Sequence, residues 1–163
     1  MNRFAKLLTP DRVACRNIVG SKKRVFEMLS ELVSKDEPAL NQTEVFTCLI
    51  ERERLGCTAL GHGVAIPHGR LKGLDHAVCA FMKLSQGVDY DAADRKSVDL
   101  VCALLVPEQS TSEHLEILAL LAEMFGDPAF RARLHAAKTS DEIYQLLVSW
   151  QPAEPERAVG PSA

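Results

Sequence analysis

Two kinds of apolar spacing alternate along the chain. One is helical and the other is an unbroken run. The helical kind begins after Ser21. Val25, Phe26, Leu29, Leu32 and Val33 share one face, and Lys22, Lys23, Arg24, Glu27, Glu31 and Lys35 take the other. That spacing predicts a helix of about fifteen residues, capped by Ser21 and starting on a solvated basic face. A second helix is expected from Asn41, with Glu44 completing a capping box and Val45, Phe46, Leu49 and Ile50 facing inward. Arg52 and Arg54 suit its last turn, and Gly56 suits a left-handed cap behind them.

The unbroken runs are residues 76–84 (HAVCAFMKL) and 98–106 (VDLVCALLV). Runs without polar alternation predict strands covered on both faces. Ser85-Gln86-Gly87 reads as a turn after the first run, residues 88–96 as loop, and Pro107 stops the second. Ser110 and Glu113 then form an S-x-x-E box opening a helix over 111–125. That helix is apolar nearly all round, which predicts a mostly buried element. Asp127-Pro128 opens a short helix carrying Phe130 and Leu134. Thr139-Ser140 opens a last one carrying Ile143, Leu146, Leu147 and Trp150. At the N-terminus, Phe4 to Leu8 reads as a helical turn, Pro10-Asp11 as a turn and Val13 to Cys15 as a short strand. Residues 151–163 are rich in Pro, Ala and Glu and read as a disordered tail. Helices interleaved with buried strands predict a single-domain α/β sandwich over residues 1–150.

Between the second helix and the first long strand lies GHGVAIPHGR, Gly61 to Arg70. Glycines flank a short apolar run, Val64 to Ile66, and Pro67 must end a strand or hold it at an edge. His68 is expected just past that strand end, with residues 71–75 as loop. His114 is the second notable imidazole, in the first turn of a helix that follows a buried strand. Strand ends and helix N-termini are where sites collect in α/β folds.

Composition narrows the chemistry. The net charge of −3 argues against nucleic-acid or anionic-membrane binding. No apolar run is long enough to span a bilayer, and no signal-peptide pattern opens the chain, so a cytoplasmic protein is expected. The five cysteines are scattered without a C-x-x-C pair, which predicts reduced thiols, most of them in the core. His76 and His135 read as ordinary surface residues.

Three readings of the histidines compete. Zinc held by His62, His68 and His114 is conceivable, although the first spacing matches no common structural site. A cysteine hydrolase built on Cys57 would need its own base and oxyanion hole. A phosphoryl carrier needs an exposed imidazole nitrogen, a partner fixing the other nitrogen, and cations or donors near the phosphoryl oxygens. It needs no metal and no cofactor.

The stretch RERLGCTALGHGVAIPHGR, Arg52 to Arg70, resembles the signature of the mannitol/fructose-type enzyme IIA domains of the phosphoenolpyruvate-dependent phosphotransferase system. SKKRVFEMLSELV from Ser21, VDLVCALLVPEQSTSEHLEILALLAE from Val98 and DEIYQLL from Asp141 resemble its nitrogen-regulatory branch. The chain departs from the family pattern at Cys57, Ala59 and His62. The resemblance implies a mixed β-sheet flanked by helices on both faces. It implies phosphorylation of His68, stabilisation of the phosphoryl group by His114, and opposition of its charge by Arg52. His62, Gly63 and Arg70 are secondary candidates. The implied donor is an HPr-type phosphocarrier, and the implied role is phosphorylation-dependent binding to regulatory targets such as transporters or sensor kinases. A sugar-specific enzyme IIA serving a IIB partner, or an interaction module that has lost phosphorylation, are the alternatives.

Overall fold

β5 (Val78–Val88) and β6 (Val98–Pro107) form the antiparallel centre of the fold, in register from Val78↔Leu105 to Lys83↔Leu100. Their side chains point alternately to two faces. Cys79, Phe81, Leu100, Cys102, Leu104 and Val106 enter one core, and Val78, Ala80, Met82, Val101, Ala103 and Leu105 enter the other. Both faces are apolar because both are covered, as the unbroken runs predict.

A computed structural model describes residues 2–16, 18–35, 37, 39–110 and 112–152. The predicted tail lies almost wholly outside the described residues. β1 (Val13–Arg16) runs parallel to β5. On the other side of β6 lie β3 (Val64–Ala65) and β4 (His68–Leu71), both parallel to it, and β2 (Ala59–Gly61) pairs antiparallel with β3. The sheet is therefore mixed. α1 (Lys22–Lys35) and α2 (Gln42–Leu55) cover one face. A helical turn at Arg3–Lys6, α3 (Glu113–Gly126), α4 (Pro128–Ala136) and α5 (Ser140–Ser149) cover the other. The turn near Pro10 and the strand at Val13 fall where the pattern puts them.

Helix starts follow their capping chemistry. Ser21 Oγ accepts from Arg24 N, Asn41 Oδ1 from Glu44 N, Asp127 Oδ1 from Ala129 N and Thr139 Oγ1 from Glu142 N. The box predicted at Ser110 does not form. α3 begins at Glu113, and Ser112 precedes it without a side-chain cap. Nor is α3 buried all round: Ile117, Leu121, Met124 and Phe125 are, whereas Leu115 is 60% exposed. The helix rests on the sheet by one face, Leu118 and Leu120 pack half-buried at its margins, and Leu115 is left outside.

Glycine accounts for two further differences. Gly56 ends α2 in an extended conformation, φ 165°, so no left-handed cap forms; its N–H donates to Glu53 O instead. Gly87 makes no turn, because β5 continues through Ser85 and Gln86 with a shifted register before Val88↔Val98. An added Cβ at Gly87 would fall 2.4 Å from Ser97 Oγ, so this glycine permits close approach of two segments. Cys79 and Cys102 are buried, whereas Cys15 and Cys57 are exposed, so the cysteines are not mostly core residues.

Candidate functional site

Val64 and Ala65 lie against Leu100 and Val101. The ladder then breaks at Ile66-Pro67. Pro67 has no N–H to give, but its carbonyl accepts from Leu104 N at 2.9 Å. The chain re-enters the sheet at once, so His68 opens β4 opposite Leu104 rather than sitting in a loop. The break turns the Ile66 carbonyl toward the imidazole. His68 Nδ1 lies 2.8 Å from Ile66 O. A carbonyl only accepts, so Nδ1 carries the proton and the neutral ring keeps its lone pair on Nε2.

His68 is half-buried in the wall of a 420 Å³ cavity. α2 supplies Cys48, Glu51 and Arg52 to this cavity, β4 supplies Arg70, and α3 supplies His114 and Leu115. Arg52 stands in the last turn of α2, where its Nη1 donates to Gly56 O at 2.9 Å. Arg70 Nη2 approaches His114 Nε2 at 3.4 Å, and His114 Nδ1 is buried with no hydrogen-bond partner among the described residues. Leu55 and Leu115, 84% and 60% exposed, are apolar side chains of the cavity lining. Burial is the first cause holding His68 below the ordinary histidine pKa. The Arg52 guanidinium and the neighbouring His114 act in the same direction, while the Ile66 carbonyl and the Glu53 carboxylate oppose them. The ring is thus neutral near pH 7, and its free nitrogen faces a cationic wall.

α2 reaches β4 because Gly69 has no side chain. A Cβ there would fall 2.6 Å from Cys48 Sγ, which itself bonds Arg70 O at 3.2 Å. This contact brings the end of α2, with Arg52, to the strand that carries His68.

A polar network invisible to the spacing lies behind this wall. Glu53 accepts from Thr58 N and Lys22 Nζ, each at 2.9 Å, and from the Thr58 hydroxyl. Tyr90 Oη lies 2.9 Å from Thr58 Oγ1 and 3.3 Å from Glu53 Oε1. Burial pushes the Glu53 carboxyl up, but the bonds from Thr58 and Lys22 outweigh it and hold the group below its ordinary value. Burial likewise pushes the Tyr90 phenol far up. Lys22 is therefore an ion-pair residue, not part of a purely solvated basic start.

The structure brings His68, His114, Arg52 and Arg70 together. It does not bring His62 or Gly63 to them. The hairpin Gly61-His62-Gly63 has positive φ throughout, and His62 N donates to Asp94 Oδ2 at 3.0 Å. His62 and Gly63 line a different concavity, with Lys96, Asp99, Arg131 and His135. The three histidines of the zinc reading therefore do not converge. Ala59 is paired with Ala65 in β2 and needs no positive φ. His135 and His76 are surface residues, but each faces a carboxylate: Asp99 for His135, Asp75 and Glu37 for His76. Among the described residues no helix is long and apolar enough to cross a membrane.

Residues 6–150 match the family model described as the phosphoenolpyruvate-dependent sugar phosphotransferase system, EIIA 2. A nitrogen regulatory protein of Pseudomonas aeruginosa is 42% identical over 151 residues, covering 93% of this chain and 98% of that protein. One from Escherichia coli is 41% identical over 140 residues, covering 85% and 83%. The crystal structure of the nitrogen regulatory protein IIA-Ntr of Neisseria meningitidis superposes with a TM-score of 0.83 at 40% identity, covering 90% of this chain and 99% of that one. The mannitol IIA of Escherichia coli, at 22% identity, shares the fold with a TM-score of 0.72 over 86% and 98% of the two chains. The mixed sheet, the helical layers and these relatives agree: the chain belongs to the EIIA 2 family of the phosphotransferase system, among its nitrogen regulatory proteins.

Proposed function

We propose that this protein is a phosphoryl-accepting regulator in which His68 Nε2 takes a phosphoryl group from an HPr-type phosphocarrier. The observation that carries the reading is the bond from His68 Nδ1–H to Ile66 O. It fixes the tautomer that leaves Nε2 nucleophilic, and it holds the ring in one orientation.

The donor's phosphohistidine docks over the cavity, with Leu55 and Leu115 as apolar ground for the partner. Nε2 attacks phosphorus in line. A new N–P bond forms as the donor's N–P bond breaks, and the donor imidazole leaves with that electron pair. Positioning and charge stabilisation supply the catalysis. Arg52, Arg70 and His114 face the transferred oxygens and offset their charge. The phosphorylated form carries about −1.5 to −2 added charges by analogy with other phosphorylated side chains, so one surface presents two electrostatic faces. Regulatory targets such as transporters or sensor kinases then distinguish the two forms in the cytoplasm.

The test is transfer of label from phosphoenolpyruvate through enzyme I and the phosphocarrier. Acid-labile label is expected on the wild type and on no His68→Ala protein. His114→Ala is expected to label more slowly or lose label sooner; an unchanged time course removes His114 from the mechanism. Onward transfer to a IIB protein would favour the sugar-specific alternative. Target binding that ignores phosphoenolpyruvate would favour an interaction module.

A further inference from the structure

We propose that Glu53 is a positioning residue for His68, acting through Thr58 and Ile66 to hold the carbonyl that sets the ring's tautomer. The proposal rests on the reading of His68 as the phosphoryl acceptor.

The connection is continuous. Glu53 closes the last turn of α2 and has a nearly buried side chain, 6% exposed. It receives the Thr58 backbone N–H, the Thr58 hydroxyl and the Lys22 ammonium. Thr58 is buried and can no longer move independently of the helix. Its own carbonyl accepts from Ile66 N at 3.0 Å. The Ile66 carbonyl, on the other side of that residue, accepts from His68 Nδ1. One carboxylate on α2 thus fixes the segment before β2, that segment fixes Ile66, and Ile66 fixes the imidazole. Ile66 precedes a proline and lies in the break between β3 and β4, where the ladder no longer constrains it. Without the Thr58 bond the carbonyl would be free to turn.

The same carboxylate acts on the ring through space. The groups around His68 are Glu51, Arg52 and Cys48 on α2, Arg70 on β4 and His114 on α3, with Glu53 behind. Arg52 and His114 disfavour a protonated ring, and Glu53 favours one. Removing its charge lowers the basicity of Nε2, which lowers its nucleophilicity in the same step. A merely structural carboxylate would leave the ring's tautomer and titration unchanged once the fold is intact.

The experiment uses the full chain with Glu53→Gln and Thr58→Val. Proton–nitrogen correlation spectra of the imidazole report the tautomer and titration of His68 in the unphosphorylated protein. In E53Q the Nδ1–H form of His68 should lose its dominance and its titration midpoint should fall. The rate of labelling should drop about tenfold, the lower end of the range for losing a partner that orients a metal-ligating imidazole. The phosphocarrier concentration giving half-maximal rate should stay unchanged, because Glu53 is not part of the docking face. T58V should move the tautomer the same way by less, and it decides the matter if E53Q does not fold. A folded E53Q protein, or failing that T58V, with the wild-type tautomer and titration of His68 overturns the proposal. If the spectra change as expected but the wild type takes no label, the positioning stands and the phosphoryl-acceptor reading fails.

Discussion

Gly69→Ala tests how α2 comes to deliver Arg52 to the cavity. The added methyl would lie 2.6 Å from Cys48 Sγ, whereas ordinary van der Waals contact begins near 3.4 Å. The deficit is most of an ångström. Cys48 can move its sulfur only by rotating χ1, which breaks the 3.2 Å bond to Arg70 O, and its backbone oxygen already stands 3.5 Å from the new methyl. Forced overpacking of this kind costs about 1–3 kcal/mol. Gly69 lies in β4 without positive φ, so alanine also gains by reducing unfolded-chain entropy, by about 0.4–1 kcal/mol. The net expectation is a loss of about 1–2 kcal/mol, or roughly 2–8 °C in Tm for a chain of this size. Urea and thermal unfolding measure it. Cys48→Ala removes the obstructing sulfur, so in that background Gly69→Ala should cost less than about 0.5 kcal/mol. Equal cost in both backgrounds, or no cost in either, would refute the contact as the determinant of the α2–β4 approach.

The His68 imidazole is held below its ordinary pKa, so its neutral, accepting form persists below about pH 6.5. The labelling rate at fixed phosphocarrier charge should therefore stay level from pH 8 through about pH 6.5 and fall only in more acid solution; a fall already complete by about pH 6.5 contradicts the shift. Lys22→Met removes the cation paired with a nearly buried Glu53, and chemical unfolding at neutral pH should show a loss of about 1–2 kcal/mol, reduced by the partial exposure of Lys22. Because the Glu53 pKa is depressed, its contribution is present above about pH 4.3 and fades as pH falls through the folded value. The gap between K22M and the wild type should narrow over that acid range, and a gap independent of pH would exclude the pairing.

The two central strands were legible because a sheet covered on both faces leaves no polar alternation to misread. Caps at Ser21, Asn41, Asp127 and Thr139 were legible because the signal is local, one side chain and a backbone N–H a turn away. Glycine was not. Gly56 and Gly87 read as a cap and a turn, yet one is extended and the other makes room for Ser97, a residue ten positions on. Gly69, which joins α2 to β4, gives no local signal at all. His62 and Gly63 stood close to His68 in sequence, but the hairpin turns them into another concavity. Arg70, by contrast, reaches His114 across the sheet end. Glu53 sits in a run of alternating charges that reads as a wet helix end. Its burial depends on Lys22, Thr58 and Tyr90, and only the fold brings these together.

The proposed regulation depends on His68 Nε2 carrying the phosphoryl group. Phosphorus NMR of the protein after incubation with phosphoenolpyruvate, enzyme I and phosphocarrier distinguishes phosphorylation at Nε2 from phosphorylation at Nδ1. A single Nε2-phosphohistidine resonance, absent from His68→Ala, is the predicted result. A resonance that survives His68→Ala, or one that reports Nδ1 of His68, would rule out His68 Nε2 as the phosphoryl acceptor.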